Sequence, residues 1–560
     1  MLPKAAAVTA LALVAVVAGV GVTPASAQSP ASAQSVPDNR SVNITAVYPN
    51  PVAHGDAGEF VVVRSNREVS LANWSLADDD QRVGLPNVTV GGRLVLSTAP
   101  NRTRNLTTGP VGRLPDGLAL ANSGERLELA RNGTAVDSLS YTDAPEGEIG
   151  RPNGKRVAWR SVGATAFPIV AGTDVPGRAF VLPDGGGVPK EILGAADDRI
   201  LLAGYTLTSE RVVELLSKAA RRGVDVRVLV DDSPVGGLTR REAAALDRLA
   251  NSDVTVTVVG GDRARYEFHH AKYAVVDDRA LVTTENWKPA GTGGHGSRGW
   301  GVIVSERTVV RALVETFRAD AGWRDTTAWS RFRESKSFEP AESPPANETY
   351  PSRFEPRRFR AERVELLRAP DNAERRVVAL VNNATESVRV EQVSVGSRQQ
   401  PFLQASLRAA RRGVDVRILL SGAWYVEEDN RELARWLNER AAREDLPLEA
   451  RLANPRGRFE KIHAKGVVVD GDQVLVGSLN WNNHSARENR EVALLVEGEE
   501  VGAYYARVFR SDWRGGQWKL TVGLALVVAL GGLLAGLIGR RIEFEGNGAD
   551  PEPAVGRKRP

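Results

Sequence analysis

The sequence predicts a multidomain protein with an N-terminal all-β sandwich, a duplicated α/β region and one C-terminal transmembrane helix. Short β-branched and aromatic runs, punctuated by Gly, Asn and Asp, fill the first part of the chain and predict the sandwich. The segment Ala-Ala-Arg-Arg-Gly-Val-Asp-Val-Arg occurs at 219–227 and again at 409–417, which indicates an internal duplication. An uncharged run from Leu520 to Ile538 is long enough to cross a bilayer.

The two ends of the chain predict its topology. Residues 1–27 combine a lysine, an apolar run and Ala-Ser-Ala, the layout of a secretory signal peptide, and residues 28–40 form a flexible leader rich in Ser, Ala, Pro and Gln. A transmembrane helix is expected at 519–539, and the arginines that follow it place the tail 540–560 in the cytoplasm. The sequence therefore predicts a single-pass cell-membrane protein whose large middle region is extracytoplasmic.

The amino-acid composition excludes several kinds of catalytic and metal site. The 560 residues include 73 Lys and Arg, 69 Asp and Glu, six His and no Cys. The absence of cysteine excludes disulfides, thiol catalysis and zinc–thiolate sites. The net charge of +4 is too small an excess to indicate a nucleic-acid partner by itself.

Residues 41–145 are expected to form the β sandwich. The predicted strands are Val42–Val47, Glu59–Val63, Trp74–Leu76, Arg93–Ser97, Arg126–Ala130 and Ala135–Tyr141. The segment resembles a lamin-tail domain through Asn-Ile-Thr-Ala-Val-Tyr-Pro-Asn-Pro at 43–51, Leu-Ala-Asn-Trp-Ser-Leu-Ala-Asp at 71–78 and Ala-Asn-Ser-Gly-Glu-Arg-Leu-Glu-Leu at 121–129. The resemblance implies an immunoglobulin-like binding or spacer module, and the sequence names no ligand for it.

The duplicated region is expected to consist of two α/β halves, 174–325 and 362–514. Residues 146–173 are interpreted as a connector, and residues 326–361, rich in Pro, Glu, Arg and Ser, as a linker between the halves. In each copy a helix ends at a Gly and a β-branched run begins the next strand. Repeated strand–helix–strand units predict a layered fold around a largely buried sheet.

Each half carries one copy of the pattern His-x-Lys-x4-Asp, with an Asn nine or ten residues beyond the Asp. The copies are His270, Lys272, Asp277 and Asn286, then His463, Lys465, Asp470 and Asn480. Apolar runs follow both lysines, so each motif should enter a buried strand, where side chains alternate and His and Lys share a face. Two residues of a strand span roughly 6.5–7 Å, so the pair is able to grip one phosphate group.

The residue types suit phosphodiester chemistry. If the two copies face one pocket, it receives two imidazoles, two ammonium groups and two carboxamides, with hydroxyls from Thr284 and Ser478. The cations offset phosphoryl charge, and the imidazoles divide the nucleophile and acid roles. An ammonium beside each His repels a metal ion, so neither metal nor other cofactor is expected.

These motifs resemble those of the phospholipase D superfamily, and the resemblance covers about residues 174–514. It implies a duplicated phospholipase D-like fold in which one His forms a phosphohistidine and the other protonates the leaving alcohol. The order expected by analogy is nucleophile His270 and acid His463, with the exchanged roles left open. The implied catalytic set is His270, Lys272, Asp277, His463, Lys465 and Asp470, with Thr284, Asn286, Ser478 and Asn480 binding phosphate.

The copies differ beyond the shared motif. Glu491 matches a trailing acidic position of the superfamily and is expected to support the site. Its counterpart in the first half falls near Trp300, so that half departs from the pattern and the orientation of its histidine is not defined.

Three functions follow from the sequence. The first is a phosphodiester hydrolase or transferase acting on phospholipid at the outer membrane surface. The second is an exported, metal-independent nuclease of the same superfamily, and the third is a non-catalytic surface binding module.

Overall fold

The computed structural model describes residues 42–51, 56–107, 109–154, 156–261, 264–334, 336–340 and 344–515. The expected signal peptide, leader, transmembrane helix and cytoplasmic tail lie outside these residues. The description below concerns the β domain and the two α/β halves.

The N-terminal domain contains ten strands and one short helix among the described residues. They are β1 (Val42–Tyr48), β2 (Phe60–Ser70), β3 (Trp74–Ala77), β4 (Arg82–Gly84), β5 (Thr89–Ser97), α1 (Pro100–Leu106), β6 (Val111–Arg113), β7 (Gly124–Arg131), β8 (Thr134–Thr142), β9 (Glu148–Asn153) and β10 (Arg156–Ser161). One sheet has the order β10-β9-β1-β2-β5-β6 and the other β4-β3-β7-β8. A buried cluster that includes Val61, Trp74 and Leu127 draws on both sheets, as expected for a sandwich.

The interpretation of 146–173 as a connector is wrong. Strands β9 and β10 lie within it and extend the larger sheet, where Val47 pairs with Gly150. In β10, Val157 and Trp159 alternate with Arg156, Ala158 and Arg160 and pack against the core of the sandwich. The segment has the period-two pattern of an edge hairpin, which its charged residues obscure.

The first α/β half follows directly. Its elements are β11 (Val170–Leu182), α2 (Val188–Gly194), β12 (Arg199–Gly204), α3 (Glu210–Arg221), β13 (Asp225–Asp231), α4 (Arg240–Ala250), β14 (Thr255–Val259), β15 (Tyr273–Val276), β16 (Arg279–Thr283), β17 (Gly299–Val304), α5 (Arg307–Ala321), β18 (Thr326–Ala328) and α6 (Trp329–Arg333).

The second half repeats this order. Its elements are β19 (Arg357–Ala369), α7 (Ala373–Asn382), β20 (Ser387–Gln392), α8 (Pro401–Arg411), β21 (Asp415–Leu420), α9 (Glu427–Glu444), β22 (Leu448–Leu452), β23 (Gly466–Val469), β24 (Gln473–Gly477), a π-helical turn (His484–Glu488), β25 (Glu491–Glu497) and α10 (Glu499–Trp513). The predicted linker 326–361 is therefore partly structured, since β18, α6 and the start of β19 lie in it.

The two halves share one fifteen-stranded sheet. Its order is β18-β14-β13-β12-β15-β16-β17-β11-β19-β25-β24-β23-β20-β21-β22, which reads the same outward from the central pair β11 and β19 apart from the extra β18. That central pair is antiparallel from Val170↔Leu366 to Ala179↔Arg357. The duplication predicted from the repeated segment is thus confirmed as a pseudo-twofold arrangement.

Helices cover both faces of this sheet. Residues of α5 and α10 join a single buried cluster that spans both halves. On the other face, α2, α3 and α4 contribute to one cluster, and α7, α8 and α9 to another. The predicted helix ends are confirmed, since Gly223 and Gly413 follow α3 and α8 with φ of 93° and 94°. The cluster that contains α5 and α10 joins the two halves, and it therefore fixes the two His–Lys motifs relative to each other.

The predicted fold class needs one correction. No helix in the described part of the chain is long and apolar enough to cross a membrane. The longest, α9, has 18 residues and is rich in Glu and Arg, so its charges exclude it from hydrocarbon. The segment 519–539 lies outside the described residues, and the single-pass cell-membrane assignment is not retained.

Candidate active site

The two His–Lys motifs lie at equivalent points of the shared sheet. Each motif immediately precedes its strand, β15 or β23, and each is hydrogen-bonded to backbone of the opposite half. The His270 amide donates to the Arg490 carbonyl at 3.0 Å, and the His463 amide donates to the Arg298 carbonyl at 2.9 Å. The structure therefore brings both predicted motifs to the junction between the halves.

Each histidine is paired with a carboxylate from the other half. His270 Nδ1 lies 2.9 Å from Glu491 Oε1, and His463 Nδ1 lies 3.1 Å from Glu285 Oε2. A carboxylate accepts only, so each neutral imidazole carries its proton on Nδ1 and leaves Nε2 with a free lone pair. The arrangement prepares both Nε2 atoms to attack phosphorus or to exchange protons.

Glu285 belongs to this site but was not predicted from the alignment of the two internal copies of the motif. Thr284 and Ser478 bond the backbone of Trp300 and Val492 alike, so the true counterpart of Glu491 is Gly299, one position before Trp300. A Cβ placed on Gly299 would lie 2.3 Å from Glu285 Cγ. The first half thus fills the same space with a carboxylate from the neighbouring segment. The available signal was the Gly at 299 together with an acidic residue inside Thr283-Thr-Glu-Asn286.

The two lysines are buried in the site. Lys272 Nζ donates to the His270 carbonyl at 2.6 Å, and Lys465 Nζ donates to the His463 carbonyl at 2.8 Å. Burial holds the pKa of Lys272 well below its usual range and lowers that of Lys465 to about 8, with Glu285 and Glu491 opposing the effect at both. A bound phosphate anion would stabilise both ammonium groups, so the pair is poised for such a ligand.

The imidazoles are held neutral. Burial lowers the pKa of His270 to about 4, against the opposing charge of Glu491. Burial and the ammonium of Lys465 lower the pKa of His463 to about 4, against the opposing charge of Glu285. Lys465 also lowers the pKa of His270, and Lys272 that of His463, so each motif lies within electrostatic reach of the other. The four groups constitute one site.

The residues predicted to bind phosphate occupy two kinds of position. Thr284 and Ser478 are fully buried, and their hydroxyls accept the amides of Trp300 and Val492 at 3.0 Å, so they support the strands that carry the site. Asn286 Oδ1 is buried without a hydrogen-bond partner among the described residues, and Asn480 is half-buried. Asn286 Oδ1 therefore lacks a partner, whereas the two hydroxyls are engaged.

The two aspartates of the motifs lie away from the histidines. Asp277 accepts backbone amides of residues 197, 198 and 199, and Asp470 accepts those of 385, 386 and 387, at 2.8–3.1 Å. Both follow the far ends of β15 and β23 in a left-handed conformation, with φ of 53° and 51°. They fix the turns that enter β12 and β20 and do not reach the imidazoles.

Buried arginines anchor the residues next to the site. Arg490, beside Glu491, pairs with Asp320 at 3.0 Å and Asp371 at 3.2 Å. Arg298, beside Gly299, pairs equivalently with Asp184 at 2.5 Å and Asp512 at 2.8 Å. Each network contains residues of both halves. Sequence reasoning found none of these pairs, because the partners are far apart along the chain.

One group of side chains has the composition of a metal site. Glu267, His484 and Glu488 converge, with His484 Nδ1 at 2.9 Å from Glu267 Oε2. Two of the three are exposed, and the carboxylates already pair with the imidazole. Glu267 and Glu488 each precede a residue of the site by three positions, and the Glu267 amide donates to the Glu488 carbonyl at 3.0 Å.

Comparisons with known proteins agree with this geometry. A family model described as cardiolipin synthase, PLD-like domain, matches residues 190–321 and 377–513, one segment in each half. Cardiolipin synthase A of Yersinia pseudotuberculosis serotype O:1b (strain IP 31758) is 32% identical over 107 residues, which is 19% of this chain and 21% of that protein. The same values hold for cardiolipin synthase A of Yersinia pestis bv. Antiqua (strain Angola). The chain thus spans about a fifth of the length of these curated relatives.

Solved structures give weaker matches. A phosphatidylserine synthase of Haemophilus influenzae Rd KW20 aligns with a TM-score of 0.46 and 12% identity, over 61% of this chain and 86% of that one. Nuc, a phospholipase D family member from Salmonella typhimurium, aligns with a TM-score of 0.24 and 21% identity, over 27% and 97% of the two chains.

The match of a PLD-like domain model in each half supports a relation of the duplicated region to the phospholipase D superfamily. Members of this superfamily are phosphodiesterases or transferases. The family match therefore supports the relation to this superfamily that the two motifs predict.

Proposed function

We propose that this protein is a phosphodiester hydrolase or transferase that acts on phospholipid through a phosphohistidine intermediate. The observation that carries the proposal is the crosswise pairing of His270 with Glu491 and of His463 with Glu285. Neither half holds both members of a pair, so the site exists only when the halves are joined. Two imidazoles with free Nε2 atoms and two buried ammonium groups are the set that metal-free phosphoryl transfer requires.

The reaction proceeds in two steps: His463 donates a proton in the first and accepts one in the second. His270 Nε2 attacks phosphorus, the bond from phosphorus to the leaving oxygen breaks, and His463 Nε2–H gives that oxygen its proton. Neutral His463 then takes a proton from water or from an acceptor alcohol, whose oxygen attacks phosphorus and releases His270. The negative phosphate raises the pKa of His463 on binding, because an opposite charge favours the imidazolium. Lys272 and Lys465 offset the charge on the non-bridging oxygens.

Phospholipid is the substrate class that the relatives favour. The matched family model and the curated relatives are described as cardiolipin synthases, and this description supports a glycerophospholipid for this chain. Because the chain spans only about a fifth of the length of those relatives, the headgroup and the acceptor are to be identified by the assay described next.

The test uses the purified full chain with phosphatidylglycerol, phosphatidylcholine and single-stranded DNA, without added metal. Expected products are phosphatidic acid from hydrolysis, or a product with two phosphatidyl groups from transfer between phosphatidylglycerol molecules. With His463→Ala and a p-nitrophenyl phosphodiester, whose leaving group needs no general acid, an alkaline quench and mass spectrometry should show a phosphoryl adduct on His270. An adduct on His463 in a His270→Ala variant would instead reverse the two roles. His295→Ala is the matched control, because His295 lies outside the paired motifs.

Other outcomes identify the competing functions. Nicked DNA with intact lipid favours the nuclease, and no turnover of any substrate favours a binding module. Turnover is expected to survive EDTA, because the lysines and not a metal ion offset the phosphate charge. Activity that is lost with EDTA and restored by a divalent cation would contradict this mechanism.

The N-terminal domain is proposed to be a lamin-tail-like spacer or binding module. Its two-sheet sandwich supports this assignment. It contacts the α/β region directly, since Arg324 of the first half donates to the Thr107 carbonyl oxygen at 2.9 Å.

A further inference from the structure

The most exposed large hydrophobic residues of the described chain flank the candidate active site. Trp424 is 87% exposed and Val235 80% exposed, and Tyr425 is 44% exposed. Only two other large hydrophobics, Val88 and Ile169, count as exposed in the described residues, at 39% each. Apolar exposure is therefore concentrated on two loops, and such concentration marks an interaction surface.

The two loops occupy equivalent places in the halves. Residues 232–239 follow β13, and residues 421–426 follow β21, the matching parallel strand. Val235 is at the tip of the first loop and Trp424 at the tip of the second. The pseudo-twofold arrangement thus places one apolar tip on each side of the histidine pair.

The first tip is connected to His270. The Val235 amide donates to Tyr205 Oη at 2.5 Å. The ring of Tyr205 meets the ring of His270 edge-on, with centroids 4.7 Å apart. Val235 therefore lies two contacts from the proposed nucleophile.

The second tip is connected to His463. The rings of Trp424 and Tyr425 are perpendicular, with centroids 5.6 Å apart, and Lys461 Nζ lies 5.4 Å from the centroid of Tyr425. Lys461 is two residues before His463, and Tyr425 is close enough to Glu285 to feel its charge. Trp424 thus stands at the rim of the same site.

Cations accompany the apolar tips. Burial and the positive charges of Lys461 and Arg241 lower the pKa of Lys288, so these three basic side chains lie near one another at this rim. Lys461 also pairs with Glu460 at 3.3 Å, and Lys288 with the charge of buried Glu242, so the excess positive charge is modest. A rim of Trp, Tyr, Val and Lys suits the boundary between the headgroups and acyl chains of a bilayer.

We infer that the loops 232–239 and 421–426 dock the site onto an anionic phospholipid surface by inserting Val235 and Trp424 among the headgroups. This inference rests on the proposed function and names how a lipid phosphodiester reaches the histidines. A stacking platform for single-stranded nucleic acid would use Trp424 and the lysines, but it has no use for an aliphatic tip at Val235. The bilayer is therefore the favoured partner.

The test compares the wild-type chain with the double variant Val235→Ser/Trp424→Ser. Val88→Ser/Ile169→Ser is the matched control, because it removes exposed hydrophobics elsewhere. Turnover is measured on phosphatidylglycerol vesicles and on monomeric dihexanoyl phosphatidylglycerol. Losing one inserted apolar side chain weakens binding by about tenfold or more, so vesicle turnover should fall at least about tenfold. Turnover of the monomeric lipid should stay within about twofold, since neither side chain contacts the histidines.

A second readout keeps the inference separate from the proposed function. Phosphatidylglycerol with brominated acyl chains should quench tryptophan fluorescence in the wild type and less in Trp424→Phe. If no lipid is turned over but this difference is present, the docking stands and the proposed function fails. Equal vesicle turnover and equal quenching in wild type and variants would overturn the docking. So would loss of oligo(dT) binding with vesicle binding retained, which would point to nucleic acid.

Discussion

Glu285 Oε2 lies 3.1 Å from His463 Nδ1, although the two residues are 178 positions apart in the chain. In the second half the equivalent carboxylate, which pairs with His270, is that of Glu491, the first residue of β25. Leu479 stands at the position that corresponds to Glu285. The two halves thus carry the carboxylate at different positions of the chain, but in both it lies beside an imidazole. Gly299 makes the change sterically feasible, since any side chain there would collide with Glu285.

This relationship predicts a rescue experiment. Glu285→Leu should lower kcat by about 10²-fold, because an imidazole without its carboxylate loses its tautomer and orientation. Gly299→Glu alone should also impair the enzyme through the collision. The double variant Glu285→Leu/Gly299→Glu copies the second half and should recover at least part of the loss. A double variant no better than Glu285→Leu would show that Glu285 does more than position His463.

The rate should depend on pH through Lys465. Its pKa is lowered to about 8, so the ammonium is lost as pH rises through that value. kcat/KM for a monomeric phosphodiester should therefore fall above about pH 8, by up to tenfold per pH unit. Lys465→Arg provides the control, because a guanidinium keeps its charge and should move the alkaline limb upward even if activity is lower. An alkaline limb unchanged in Lys465→Arg would assign it to another group.

Stability should fall in acid because of the two histidines. The pKa of each is about 4 in the folded protein and 6.5 in an unfolded chain, so unfolding takes up protons between these values. Their contribution is fully present above pH 6.5 and is lost as pH falls towards 4, at about 3 kcal/mol for each histidine. The thermal midpoint of His270→Asn/His463→Asn should thus vary less between pH 4.5 and 6.5 than that of wild type. Parallel curves would show that other groups control acid stability.

The buried arginine networks should be essential for stability. Arg490→Met leaves Asp320 and Asp371 as buried carboxylates without their shared cation, at a cost of about 3–5 kcal/mol. Arg333→Met is the control, because the pair of Arg333 with Asp247 is largely exposed and screened by water, so its loss should destabilise the protein far less. Chemical unfolding followed by circular dichroism measures both. Similar losses in the two variants would mean that the buried network is not a special source of stability.

Much of the fold was predictable because its signals are local. The predicted strands of the sandwich correspond to β1, β2, β3, β5, β7 and β8, whose alternation and turn residues are contiguous in the chain. The repeated segment predicted the α3–β13 and α8–β21 units, since a helix, its terminal Gly and the next strand are adjacent. The connector was misread because its edge hairpin carries arginines on the exposed face.

The sequence by itself determined that two copies of a His–Lys motif exist, that each enters a buried strand, and that phosphate chemistry suits them. Only the tertiary structure decided which residues complete each copy. The pairs His270–Glu491 and His463–Glu285 form because the antiparallel pairing of β11 with β19 joins the halves edge to edge in one sheet. Hydrogen bonding and burial act through space, so neither the exchange of Glu285 for a residue at 299 nor the lowered pKa of the imidazoles follows from order along the chain.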